Sequence, residues 1–256
     1  EDFAEILRER EEPAVHEVVQ ARTNIPVAPV VMYDDTCTVA PRPFLVLERL
    51  PGVALSEAYG VDVPAVFRAV GVHLAELHRN VRSESYGYCG AHHPMAPAAT
   101  WEDAFADMWH RLIGDIAGCG GYTAAEADEM RRLFERDRAV FARPVAAALL
   151  HMDIWHQNIL VDGAGRVTGI VDWDRALWGD VEIEFAVLDY CGVSVPAFWD
   201  GYGAERDTSP AAKLRGLYYT LYELQKYIVI RTLRGKDARA GRRYAEESLR
   251  LVGSIA

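Results

Sequence analysis

The hydrophobic positions along the chain change period several times, and each change marks an element. Residues 3 to 22 place Phe3, Ile6, Leu7, Val15, Val18 and Val19 at helical spacing, with Pro13 as an interruption. The proline-punctuated NIPVAPVVMYDD leads into short strands, and FLVLERLPG (44–52) reads as a buried strand closed by a Pro51-Gly52 turn. A helix is predicted from Val63 to Asn80, with Asp62 before it, Pro64 in its first turn, and Val66, Val70, Leu74 and Leu77 along one face. YGYCGAHHPMAPAAT reads as a loop. Trp101, Phe105, Met108, Trp109 and Leu112 then return to helical spacing, with Asp103 and Asp107 on the other face. This aromatic stripe reads as core. Thr123 to Glu126 spells a capping box that opens a helix running to about Ala142.

VAAALLH is a short buried strand, and NILVD, GAG and RVTGIVDW together make a hairpin. Ser209-Pro210 starts a long helix that carries Leu214, Leu217, Leu221, Leu224 and Ile228 and ends near Gly235; an amphipathic helix fills the rest. The order is helix and strands, a linking strand, then a mostly helical half with one embedded hairpin. That is an α+β fold in two lobes.

Composition narrows the function. The chain has 256 residues, half of them hydrophobic, enough for a large domain or two lobes. No apolar run approaches the ~18 residues of a membrane span, and no secretory pattern opens the chain. A net charge of −11 argues against nucleic acid or an anionic membrane as partner and suits a cationic small molecule. Cys37, Cys89, Cys119 and Cys191 are scattered without C-x-x-C pairing, as expected of free thiols in a reducing cytoplasm. Lysine occurs only at Lys213, Lys226 and Lys236, and the chain starts at Glu1 without an initiator Met.

The chemistry concentrates in HMDIWHQNIL (151–160) and the DWD that follows. A hairpin brings the residue before its first strand close to the residue after its second, so Asn158 and Asp172 become neighbours. An amide oxygen beside a carboxylate is a poor zinc site but suits Mg²⁺, which takes hard oxygen ligands and leaves positions open for phosphates. Asp153, in the preceding loop, reaches the same centre as a base for a hydroxyl. His151, Asp153 and His156 offer a second arrangement, a metal triad that would make the protein a metal-dependent hydrolase with bound zinc. Trp155, Trp173 and Trp178 surround the site in sequence; packing is expected of most of them, and Trp155 is the candidate face for a substrate. Among the acids Asp103, Asp107, Glu182, Glu184 and Asp189, the last two are the candidates for contacts to substrate amino groups. None of the cysteines sits in a nucleophile context.

HMDIWHQNILVD and GIVDWDRALWGDVEIEFA together resemble the catalytic loop and metal-binding aspartate of the protein-kinase-like superfamily, in its aminoglycoside phosphotransferase branch, which includes choline-kinase-like and fructosamine-kinase-like enzymes. The resemblance spans about residues 11 to 190. It implies a two-lobed kinase-like fold, with residues 1–50 the remainder of a nucleotide-binding lobe ending in the hinge and 51–256 the catalytic and substrate-binding lobe. It implies a kinase that moves the γ-phosphoryl group of ATP or GTP to a hydroxyl of a small, amine-bearing molecule, an antibiotic or an amino-sugar metabolite. Asp153 would take the catalytic base position, Asn158 and Asp172 the Mg²⁺ positions, and His151 would brace the loop. Asp180 would stabilise the loop region, and the carbonyl of Glu48 and amide of Leu50 would bind the nucleotide base. Glu11, or else Glu12, would be the helix glutamate that pairs with a strand lysine; Glu11 is favoured because it puts Ala14, Val15 and Val18 on the packing face. Met152 departs from the family's usual glycine and, with Trp155, marks where substrate preference is expected. The family's glycine-rich loop and strand lysine are missing from this sequence. The expectation is that residues before Glu1 supply them; otherwise the chain is a non-catalytic, pseudokinase-like binder.

Overall fold

The computed structural model describes residues 12–89 and 95–253. Glu11, the first positions of the predicted N-terminal helix and part of the loop before Met95 therefore lie outside the described residues. The first elements are α1 (Glu12–Arg22), β1 (Val30–Asp34), β2 (Phe44–Leu47), β3 (Val53–Ala54), α2 (Val63–Asn80), β4 (Arg82–Ser83) and β5 (Gly87–Tyr88). The helices α3 (Trp101–Gly118) and α4 (Ala124–Asp137) follow, then β6 (Ala147–Leu150), β7 (Ile159–Val161), β8 (Val167–Ile170) and β9 (Leu177–Gly179). The chain closes with α5 (Val181–Tyr190), α6 (Pro196–Tyr202), α7 (Pro210–Val229) and α8 (Ala238–Val252).

Local chemistry sets most of these boundaries. Pro13 lies near the start of the described part of α1, Glu12–Arg22, and the earlier part of the expected helix lies outside the described residues. Asp62 caps α2 by accepting from Ala65 N at 3.2 Å, and both halves of the Thr123–Glu126 capping box are made. The long helix α7 passes into a π-helical turn, Ile230–Arg234, before Gly235. Three elements do not show in the hydrophobic pattern. β9 and α6 are short, and α5 buries all of Ile183 to Leu188, which erases a helical period.

Every strand pairing among the described residues is antiparallel, in three small sheets: β1-β2, β3-β7-β8 and β4-β6-β9-β5. With the helices gathered in the second half, this is the expected α+β arrangement. One hydrophobic cluster joins Trp101, Phe105, Trp109, Phe134 and Phe141 to Tyr218, Tyr219 and Tyr222 of α7. The aromatic stripe of α3 is core. The second cluster joins Val15 and Val19 of α1 and Ile25 and Val27 after it to Leu74 and Leu77 of α2 and Ile159, Ile170 and Trp173 around the hairpin. The residues before the expected boundary at 50 thus share a core with the catalytic hairpin.

The hinge segment rests on that hairpin. Thr168 Oγ1 donates to Pro51 O at 2.6 Å, and a Cβ on Gly169 would stand 2.7 Å from Leu50 Cδ1. The tightest helix contact is α2 on α6. A Cβ on Gly71 would lie 2.2 Å from Phe198 O, and one on Gly201 only 1.9 Å from Arg68 O. Gly201→Ala must force these backbones apart and should lower unfolding stability by about 1–3 kcal/mol in a urea titration. Gly216→Ala in α7, where nothing lies within 4 Å of the added methyl, should raise it by about 0.5–1 kcal/mol.

Candidate active site

The turn between β6 and β7 holds His151, Met152, Asp153 and Asn158, and its shape comes from a carboxylate beneath it. Glu184 of α5 accepts the backbone N–H of His151 and of Met152 through Oε1, each at 2.8 Å, and bonds His78 Nε2 through Oε2 at 2.7 Å. It is fully buried. Burial alone would raise its carboxyl, but the His78 ring and the Met152 amide outweigh that and hold it below the ordinary range. Glu184 is therefore no substrate contact, contrary to expectation: it has no exposed surface and both of its oxygens are engaged.

Met152 has φ 66°, in the left-handed region, which explains why glycine suits this position. Its side chain is buried with Leu150 and Leu177, so it faces the core and not the substrate. His151 Nε2 donates to Val171 O at 3.1 Å, Nδ1 accepts from Asp153 N at 3.2 Å, and the ring packs on Trp173. Burial lowers its pKa, favouring the neutral ring this pattern needs. With both nitrogens used, and His156 packed edge-on against Phe67, the histidines do not form a zinc triad with Asp153.

The hairpin delivers the polar centre. Asn158 Nδ2 donates to Asp153 O at 2.9 Å and Oδ2 at 3.1 Å, and stands 3.4 Å from Asp172 Oδ2. Asp172 is exposed and, at φ 70°, turns its chain back at the end of β8. An amide and an exposed carboxylate at this spacing make a hard-oxygen donor pair of the kind Mg²⁺ takes. In this arrangement Nδ2 faces Asp172, and presenting Oδ1 there would give up both bonds of the amide to Asp153.

Asp153 is mostly buried, which pushes its carboxyl up from the ordinary value against the opposing charge of Arg175. Arg175 NH1 lies 3.1 Å from Asp153 Oδ1 and 3.4 Å from Glu223 Oε1, and its guanidinium covers the Tyr227 ring at 5.8 Å. Glu223 also pairs with Lys226 one turn along α7, both fully buried. Burial and the nearby charge of Asp172 raise Asp174 to about 7.

Other expected residues fall outside this centre. Asp180 caps α5 by accepting from Glu182 N at 3.2 Å and also takes Arg143 and Tyr219, which gives it a structural place. Asp189 pairs with Arg206, and Trp155 is about one-third exposed at the loop's tip. Glu48 gives its amide to Pro29 O at the end of the β1-β2 ribbon. The carboxylate that reaches the site from α1 is Glu12, which accepts from Trp173 N at 3.2 Å and bonds His16. Sequence reasoning missed Arg175, Glu223, Lys226 and Asp174. Asp174 adjoins Asp172 and Arg175 adjoins Asp174, so proximity to the motif was the available signal. Glu223 and Lys226 lie about fifty residues away on a helix, and no local pattern flags them.

A buried loop held by a carboxylate, ahead of a hairpin that sets an amide against an aspartate, is the centre of a kinase-like phosphotransferase fold. The chain belongs to the phosphotransferase enzyme family, whose model matches residues 4–217. Viomycin phosphotransferase of Streptomyces vinaceus is 32% identical over 151 residues, covering 57% of this chain and 49% of the relative. A "Probable ketoamine kinase" of Synechocystis is 29% identical over 165 residues, covering 60% of this chain and 53% of the relative. The chain spans about half the length of these curated relatives. Among solved structures, a ternary complex of aminoglycoside phosphotransferase APH(4)-Ia with AMP-PNP and hygromycin B superimposes with a TM-score of 0.67 at 17% identity. It covers 96% of this chain and 84% of that one.

Glu184→Ala would strip two buried amides and His78 of their acceptor. A loss of about 3 kcal/mol or more is expected in urea unfolding. Because the folded-state carboxyl lies below its ordinary 4.5, this stabilisation is complete above 4.5 and is lost as pH falls through the folded value. The stabilities of wild type and Glu184→Gln should therefore converge in acid.

Proposed function

We propose that the protein is a small-molecule kinase, transferring the γ-phosphoryl group of ATP or GTP to a hydroxyl in the cytoplasm. The observation that carries this reading is the Asn158 amide set between the carboxylates of Asp153 and Asp172. Phosphoryl transfer passes through a loose transition state, so positioning and charge neutralisation dominate catalysis. Asp153 orients the acceptor hydroxyl and takes its proton as the bond to phosphorus forms. Asn158 and Asp172 would hold Mg²⁺, which when bound neutralises charge on the nucleotide phosphates. His151 keeps Asp153 in place through its amide, and Glu184 fixes the loop from below. The nucleotide base lies against Glu48 and Leu50, where the hinge rests on the hairpin. Glu12, held by Trp173 N, is the α1 carboxylate placed to meet a cation from the nucleotide lobe.

The family and the nucleotide complex of the structural neighbour support this reading. Among the described residues no helix is long and apolar enough to cross a membrane. Acceptors of the kind named for the relatives, hydroxylated antibiotics and ketoamines, are the first to test.

In the full-length protein, Asp153→Asn should lower kcat by about 100-fold or more while nucleotide affinity, read by calorimetry, stays near wild type. Asp172→Ala should abolish Mg²⁺-dependent nucleotide binding. Transfer by Asp153→Asn near the wild-type rate would refute the base. Because burial raises Asp153 above its ordinary 3.8 and the base must be ionised, kcat/KM should fall on the acid side through an apparent pKa higher than 3.8.

A further inference from the structure

A cavity of about 420 Å³ opens between the C-terminal end of α2, the start of α5, the end of α6 and the start of α7. Small-molecule sites span about 300–1,000 Å³, so it is large enough for a ligand. None of Asp153, Asn158 and Asp172 lines it. Its link to the catalytic loop is His78, which lines the cavity and bonds Glu184 Oε2 through Nε2 at 2.7 Å. The other ring nitrogen of His78 meets the Tyr202 hydroxyl at 2.9 Å. Glu184 therefore stands between the two places: one oxygen holds the loop amides, and the other holds a wall of the cavity.

Part of the lining is aromatic. Phe185, Trp199 and Tyr202 pack edge to face on one another, with ring centroids 4.9, 5.1 and 5.8 Å apart. Another part is cationic. Arg79 Nε donates to Ala75 O at 2.9 Å and Arg82 Nε to His78 O at 3.2 Å, so the last turn of α2 anchors both guanidiniums by their inner nitrogen. The terminal N–H groups of both have no acceptor among the described residues. Arg143 also lines the cavity, and its Nε is buried without a partner among the described residues. The acids of the lining are mostly engaged. Arg143 holds Asp180 and Glu182 at 2.6 and 2.8 Å, and Arg215 holds Glu182 at 2.7 Å and Asp207 at 3.7 Å. Arg206 is matched by Asp189, which lies outside the lining. Arg79 and Arg82 are left against one exposed acid, Glu205.

We infer that this cavity is a second ligand site, separate from the Asp153 centre, and that it takes an organic anion. A phosphate or carboxylate accepts from Arg79 and Arg82, and a flat apolar body lies against Phe185, Trp199 and Tyr202. The planar donor fork of arginine matches both anions, and two forks anchored at their inner nitrogens are already oriented. The rings give the ligand body a surface on which to leave water. An inorganic ion meets only half of these groups. Through His78 and Glu184, an occupant stands two hydrogen bonds from the amides of His151 and Met152. The site does not depend on the reaction proposed for the catalytic loop.

The test titrates the full-length protein with phenyl phosphate in a calorimeter, with and without saturating AMP-PNP and Mg²⁺. One site with a Kd of about 1 mM or tighter is expected in both conditions. Inorganic phosphate, which lacks the ring, should bind at least about tenfold more weakly, and benzyl alcohol, which lacks the charge, should give no binding. Arg79→Gln/Arg82→Gln should weaken phenyl phosphate by at least about tenfold. Arg131→Gln/Arg132→Gln removes the same charge from α4 and should leave the affinity within about twofold. Absence of binding up to about 10 mM, or an equal loss in the two double variants, overturns the inference. So does displacement of phenyl phosphate by AMP-PNP, which would put the anion in the catalytic cleft. Should Arg79→Gln/Arg82→Gln unfold, which thermal melts will reveal, Arg82→Lys carries the same comparison, since it keeps the charge and loses the fork.

Discussion

The arrangement around the site depends on one buried carboxylate. Glu184 accepts two consecutive backbone N–H groups from the turn after β6 and bonds the His78 ring of α2. A turn that exposes two amide donors to the protein interior is costly unless an acceptor meets them. Satisfying both with a single oxygen leaves the turn one shape, in which Met152 takes a left-handed conformation and Asp153 is presented to the cleft. Because Glu184 comes from α5 and His78 from α2, the loop is tied to two helices that flank it. A loop held this way keeps one geometry with no ligand bound, which is what the proposed positioning role needs.

The remaining geometry follows from pairing rules. The hairpin closes Asn158 onto Asp172, and the preceding turn brings Asp153 within hydrogen-bonding distance of the same amide. Acting together, they gather a buried carboxylate, an amide and an exposed carboxylate while using few residues. Opposite them, α7 brings Glu223, Lys226 and Tyr227, and Arg175 joins the two sides. The polar cluster is therefore built half from a local motif and half from a distant helix.

That division explains how much could be read from the sequence. Asp153, Asn158 and Asp172 were legible because strand alternation and a Gly-rich turn place them together by local geometry alone. The helix caps at Asp62 and Thr123 were legible for the same reason. Glu184 was noticed as an acid but assigned to substrate, since nothing in V-E-I-E-F-A-V-L tells a buried carboxylate from a solvated one; only the loop above it does. Met152 was taken for a substrate-facing residue because its backbone conformation, not its chemistry, is what is special. Arg175 could not be paired with Glu223 from sequence, because that contact joins segments 48 residues apart. Of the two candidate acids on the first helix, Glu12 accepts from Trp173 N, and Glu11 lies outside the described residues.

The buried charges Asp153, Glu223, Arg175 and Lys226 also constrain how this protein can change over generations. Replacing either acid strands a buried cation, and replacing either cation strands a buried anion, so each single step passes through a destabilised intermediate. Residues in one such network do not act additively. A change at Arg175 is thus expected to require a compensating one at Glu223, although 48 residues separate them. Relatives that differ at one of these positions should differ at another, and the pairing is a trace of selection that an alignment of close homologues would carry.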